Sequence, residues 1–128
     1  MIVDASAIVG IILREPGWQE LVAKLAVADS PAVGAPTLAE TGLVLTAKLG
    51  RRAPGILARF LQEAELTVVP FSEPHWPAAV EAYARFGKGR HPASLNFGDC
   101  LTYAVARVAG RPLLFVGDDF SKTDLPAA

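Results

Sequence analysis

Carboxylates stand against apolar sequence at four separated places in this chain: Asp4, Glu40, Asp99 and the pair Asp118–Asp119. Burying an unpaired charge is costly, so acids beside apolar stretches are normally paired or bound to a cation. Acids converging on one spot would repel one another unless a hard, oxygen-preferring ion such as Mg2+ or Mn2+ neutralised them. That donor set belongs to metal-assisted phosphoryl transfer. Each acid also has a plainer role open to it. Asp4 could cap a helix, Glu40 could close a capping box with Thr37, Asp99 could answer a helix dipole, and Asp118–Asp119 after Gly117 could be a turn pair. Ser6 is either a second cap or a hydroxyl supporting a neighbouring carboxylate. Glu40, Leu43, Val44 and Ala47 fall on one face at helical spacing, which sets Glu40 at the head of an apolar stripe.

The elements that must hold these acids alternate strand with helix. Ile2-Val3 leads to Asp4, and a helical pattern follows over residues 5–13 until Glu15-Pro16-Gly17 breaks it. A second helix is predicted over 18–28, a small-residue strand over 32–35, and a helix from Thr37 to Leu49, stopped by Gly50. Residues 53–64 read as a helix, 66–69 as a strand, and 73–87 as another helix. Asn96 is a plausible N-cap for a helix over 99–109, and 113–116 is the last strand. This alternation predicts a three-layer α/β/α sandwich around a mainly parallel sheet of four to five strands. Asp4 follows the first strand and Asp118 the last, and open sheets of this kind bind ligands at the carboxyl ends of their strands.

Composition bounds the possibilities. The chain has 128 residues, enough for one domain with its own core. Its residues are 52% hydrophobic and its mean hydropathy is +0.34, which suits a sheet covered on both faces or a subunit that hides apolar surface in a partner. The formal net charge is −1, so any nucleic-acid contact must come from a local patch. The loop Arg85-Phe86-Gly87-Lys88-Gly89-Arg90-His91 is such a patch: its cations could neutralise phosphates, and Phe86 and Phe97 could stack on unpaired bases. Its plainer reading is a solvated loop. Arg51, Arg52 and Arg59 read as an exposed helix face, His75 as helix-start packing, and Trp18 and Trp76 as core or interface anchors. Cys100 is alone, which fits a reducing compartment. The apolar run 5–13 lacks a basic flank and is bounded by charge, so it is not read as a leader. No run approaches the length of a membrane helix, and a cytoplasmic protein is expected.

The order of these segments resembles a known family. Ile-Val-Asp-Ala-Ser-Ala at residues 2–7, Glu40 after Ala-Pro-Thr, Leu-Asn-Phe-Gly-Asp-Cys at 95–100 and Leu-Phe-Val-Gly-Asp-Asp-Phe at 114–120 resemble PIN-domain ribonucleases. They look especially like the VapC toxins of VapBC toxin–antitoxin modules, over nearly the whole chain. The resemblance implies that Asp4, Glu40 and Asp99 are metal-site acids. Asp118 is favoured as the fourth because it comes first after the strand, with Ser6, Asp119 and Asn96 in support. It also implies a Mg2+- or Mn2+-dependent endoribonuclease that restrains translation and growth. Implied partners are a VapB-type antitoxin, RNA bound partly by Arg85, Lys88, Arg90 and His91, and a second copy, in a homodimer and a toxin–antitoxin hetero-oligomer.

Rival readings fit less well. A haloacid-dehalogenase-like phosphatase wants a second Asp where Ser6 stands, and a receiver domain wants an Asp where Phe71-Ser72 follows the middle strand. A PIN-like module that only binds RNA or protein has no reason to keep every acid.

Overall fold

The short β-branched and apolar runs form strands, and the helical patterns between them form the crossovers. The computed structural model describes residues 1–128. In chain order it contains β1 (Ile2–Val3), α1 (Ala5–Ile12), α2 (Trp18–Ala26), β2 (Ala32–Gly34), α3 (Ala35–Leu49), α4 (Ala53–Glu63), β3 (Thr67–Val69), α5 (His75–Phe86), α6 (Phe97–Ala109) and β4 (Leu113–Leu114). The sheet has four strands in the order β3-β2-β1-β4, paired in parallel throughout. Parallel neighbours cannot be joined by a tight turn, so each connection carries helices across a face. Strand β2 was added on one side of β1 and β4 on the other. The crevice between β1 and β4 is therefore a topological switch point.

Alternation along the strands divides the core in two. Ile2 and Leu113 face a cluster built with Ala82 and Phe86 of α5 and Tyr103 and Val105 of α6. Val3 and Leu114 face the opposite cluster, with Ala7 and Ile8 of α1, Leu45 of α3 and Leu57 of α4. Three layers result, as the sequence predicts. No helix is long and apolar enough to cross a membrane.

Three local expectations are corrected. Helix α3 starts two residues early, at Ala35 with Gly34 as its cap, because Pro36 is tolerated in a first turn whose N–H groups have no helical partner anyway. Thr37 thus lies inside the helix, and the Thr37–Glu40 capping box does not form. The buried row of α3 is Thr37, Thr41 and Leu45, while Leu43 is 74% exposed. Threonine can occupy that core row because its hydroxyls are satisfied: Thr41 Oγ1 donates to the Thr37 carbonyl at 2.7 Å, and the Thr37 and Thr102 hydroxyls lie 2.8 Å apart. Finally, β4 ends at Leu114, because the Val116 N–H leaves the ladder to donate to Ser6 Oγ at 3.0 Å.

Candidate active site

Asp4 is the N-cap of α1, immediately after β1, and is only 6% exposed. Its Oδ2 accepts the Ser6 N–H at 3.0 Å and the Ser6 hydroxyl at 2.6 Å. Ser6 Oγ in turn accepts the Val116 N–H, so one hydroxyl holds the Asp4 carboxylate and the chain leaving β4 together. Capping and site support, alternatives in the sequence, are here the same bonds.

Asp99 combines roles in the same way. Asn96 caps α6 through a reciprocal pair: Asn96 Oδ1 accepts the Asp99 N–H at 2.9 Å, and Asp99 Oδ2 accepts the Asn96 N–H at 3.1 Å. This fixes the Asp99 carboxylate in the first turn while leaving Oδ1 uncommitted to that box. Glu40 reaches across from α3. Its carboxyl lies against the backbone of Gly98, where a Cβ would stand 2.5 Å from Oε2.

Electrostatics show that these acids are neighbours. Burial pushes the Glu40 carboxyl above its ordinary range, and the charges of Asp4 and Asp99 push it further. Burial also raises Asp99. The Asn96 N–H pulls the other way, and the charges of Asp4 and Asp119 add to the rise. Between the two candidates after Gly117, therefore, Asp119 bears on Asp99, whereas sequence position favoured Asp118. Gly117, just before the pair, has φ +97°, a left-handed conformation that suits glycine and turns the chain there. The Asp118 carbonyl then accepts the Ser121 hydroxyl at 2.6 Å.

The donor set fits a hard divalent cation: carboxylate oxygens only, under mutual repulsion that a cation would relieve. No three acidic, histidine or cysteine side chains are gathered closely enough to hold an ion between them. Mg2+ does not require three, since it commonly keeps several waters and takes one or two carboxylates from the protein.

The basic loop meets the site at its base. It is pinched by the Leu95 N–H donating to the Phe86 carbonyl and the Lys88 N–H donating to the Leu95 carbonyl, both at 2.9 Å. Its cations are not equivalent. Arg85 is committed to Asp124 at 3.2 Å and stacks on Phe86, and His91 Nδ1 accepts the Ala93 N–H at 3.0 Å. Lys88 and Arg90 are exposed and enter no salt bridge, although Arg90 leans over the Tyr83 ring. Phe86 is buried and unavailable for stacking, whereas Phe97, two residues before Asp99, is 79% exposed. His75 is buried and accepts the Ser72 N–H at 2.9 Å, which fits the packing role. Trp76 is exposed and does not anchor the core.

Sequence reading missed an apolar depression of about 310 Å³ next to Asp99, lined by Ala79, Val80, Tyr83, Phe97, Cys100 and Leu101. The signal was available: Trp76, Val80 and Tyr83 recur at helical spacing on the outer face of α5. A larger depression of about 770 Å³, between α2 and α4, contains none of the site acids.

The chain is similar to known proteins over nearly its whole length. The family profile described as PIN domain matches residues 1–125. VapC ribonuclease Mb2004c of Mycobacterium bovis is 50% identical over 126 residues, covering 98% of this chain and 91% of the relative. Ribonuclease VapC36 of Mycobacterium tuberculosis matches with the same identity and coverage. The crystal structure of Mycobacterium tuberculosis VapC20, titled a sarcin–ricin loop cleaving toxin, superposes with a TM-score of 0.80 at 19% identity. That superposition covers 99% of this chain and 97% of the other, and it supports the fold alone.

Proposed function

This chain belongs to the PIN-domain family, among proteins named VapC ribonucleases, and from that premise we propose that it is a divalent-metal-dependent endoribonuclease acting as the toxin of a type II toxin–antitoxin pair. The observation that supports the reading is that Asp4 caps α1 directly after β1, Glu40 lies against Gly98 beside Asp99, and the charges of Asp4, Asp99 and Asp119 bear on Glu40 or Asp99.

In this reading Mg2+ or Mn2+ would be held among Asp4, Glu40, Asp99 and Asp119, directly by one or two of these carboxylates and through its waters by the others. When bound, such an ion lowers the pKa of water and offsets charge on a phosphodiester. The remaining work falls to the chain itself. Ser6 keeps the Asp4 carboxylate aimed, and the Asn96 cap does the same for Asp99, so neither has to be ordered when substrate arrives. Lys88 and Arg90 neutralise backbone phosphates of the RNA, and Phe97 offers a face on which an unpaired base can stack. Asp118, the acid that strand direction favours, stands beside them, its carbonyl accepting the Ser121 hydroxyl in the turn.

The reading takes residues 1–128 as one PIN domain, working in the cytoplasm, where a toxin directed at the cell's own RNA must act. A VapB-type antitoxin is its partner, and toxin copies pair as homodimers within the hetero-oligomer. The exposed apolar surface of Trp76, Val80, Tyr83 and Phe97 supports a partnered state, because solvent-facing patches of this kind usually mark interaction sites.

Purified protein incubated with total cellular RNA should give discrete fragments with Mg2+ or Mn2+. It should give none with EDTA, and Asp99→Asn should give none under any condition. Equal cleavage by the variant, or cleavage that survives EDTA, would remove the proposed site.

A further inference from the structure

Gly98 occupies the second position of α6, where its φ is not left-handed and alanine would be the better helix former. A glycine there must be explained by space rather than by conformation. The space is taken by Glu40: a Cβ at Gly98 would stand 2.5 Å from Glu40 Oε2, 2.9 Å from Cδ and 3.0 Å from Oε1. No other group approaches it as closely. One turn before Glu40 on α3 and one turn after Gly98 on α6, the buried hydroxyls of Thr37 and Thr102 meet at 2.8 Å. Parting α3 and α6 to admit a methyl group would stretch that buried bond, at a cost that moving a side chain avoids. The carboxylate, at the far end of a flexible side chain, is what must yield.

We propose that Gly98 is a positioning residue: the missing Cβ reserves the place in which the Glu40 carboxylate lies, within reach of Asp4 and Asp99. The proposal rests on the reading of Glu40 as a metal ligand, and it concerns how that ligand is aimed. A methyl at Gly98 competes with the Glu40 carboxylate for that space and is expected to swing it out of the acid group.

The test is direct Mn2+ binding, measured without RNA by calorimetry or by the resonance signal of free Mn2+, on wild type, Gly98→Ala, Glu40→Ala and the double variant. Melting in EDTA accompanies it. Gly98→Ala should weaken Mn2+ binding about 10-fold, in the range expected for loss of a group that orients a ligand. The double variant should bind as Glu40→Ala alone does, because Gly98 acts only through Glu40. In EDTA, alanine at position 98 should raise the melting temperature once Glu40 is gone, since only its helix-forming advantage then remains. A Gly98→Ala protein that folds only in the Glu40→Ala background would equally support the reserved space. Wild-type Mn2+ affinity in Gly98→Ala, a double variant weaker than Glu40→Ala, or failure of both alanine-98 proteins to fold would overturn it. If Glu40→Ala itself binds Mn2+ like wild type, the ligand assignment fails, and the role of Gly98 goes with it.

Discussion

Glu40 carries a carboxyl that burial and the charges of Asp4 and Asp99 all push toward its protonated form. In the ion-free protein that repulsion opposes folding. Glu40→Gln keeps the shape and removes the charge, and it should stabilise the ion-free protein by on the order of 1 kcal/mol or less. The same variant should lose most of the melting-temperature rise that Mg2+ gives the wild type. Thermal melts with and without Mg2+ check both, and an ion-free variant less stable than wild type would contradict the account. At this scale the sequence was partly legible. Asp4 and Asp99 sit at strand and helix ends that pattern alone locates. The choice between Asp118 and Asp119 is not legible in the sequence, because both follow a left-handed glycine that turns the chain and strand direction alone does not say where two adjacent acids point after it.

Between elements, polar bonds in buried places set the geometry. The Thr37–Thr102 pair joins the two helices that carry Glu40 and Asp99. Thr102→Val should cost about 1–3 kcal/mol, because it leaves the Thr37 hydroxyl buried without its partner. Adding Thr37→Val should recover part of that loss. Denaturant unfolding of both singles and the double measures the coupling, and strictly additive losses would count against it. These threonines also show why α3 misled the pattern reading. Period analysis weights hydrophobicity, so it favoured Leu43 and Val44 over the hydroxyl row that is buried. Another such tie holds the C-terminal segment. Tyr103 donates to Asp124 Oδ1 at 2.6 Å, and Arg85 and Arg107 each approach Oδ2 at 3.2 Å. Although burial alone would raise it, these partners hold the Asp124 carboxyl below its ordinary range, while burial and the bond to Asp124 push Tyr103 up to about 12. The Asp124 contribution is full above the ordinary carboxylate range and is lost as pH falls through the depressed value. The Tyr103 contribution is full below the ordinary phenol range and is lost as pH climbs toward 12. Stability measured against pH should therefore lose its acid limb in part in Asp124→Asn, and an unchanged acid limb would sink the assignment.

For the molecule as a whole, a net charge of −1 means that capture of RNA, on the function proposed above, is a local affair. Lys88→Ala and Arg90→Ala should each weaken RNA binding at every sequence tested. Each should also lower the slope of log affinity against log salt by about 0.7, the value for one phosphate contact on a single strand. Arg85→Ala, removing a cation already held by Asp124, should change that slope less and stability more. Filter binding across a salt series separates these cases, and equal slopes for all three would put RNA elsewhere. The layered fold was legible because strands and helices alternate with clear breaks; the outward apolar face of α5 was not, since periodicity reports a stripe without saying which way it points.

The strand order carries a consequence in time. Strand β1 leaves the ribosome first and β4 last, yet they lie side by side. The Val116 amide that ties Ser6, and Asp119 itself, come later still. A nascent chain thus carries three of the acids before the strand that completes their surroundings exists. Pairing two strands so distant in sequence is among the slower steps of folding. On the function proposed above, cutting competence is expected only after synthesis has passed β4, an interval in which an antitoxin could reach the chain before it acts.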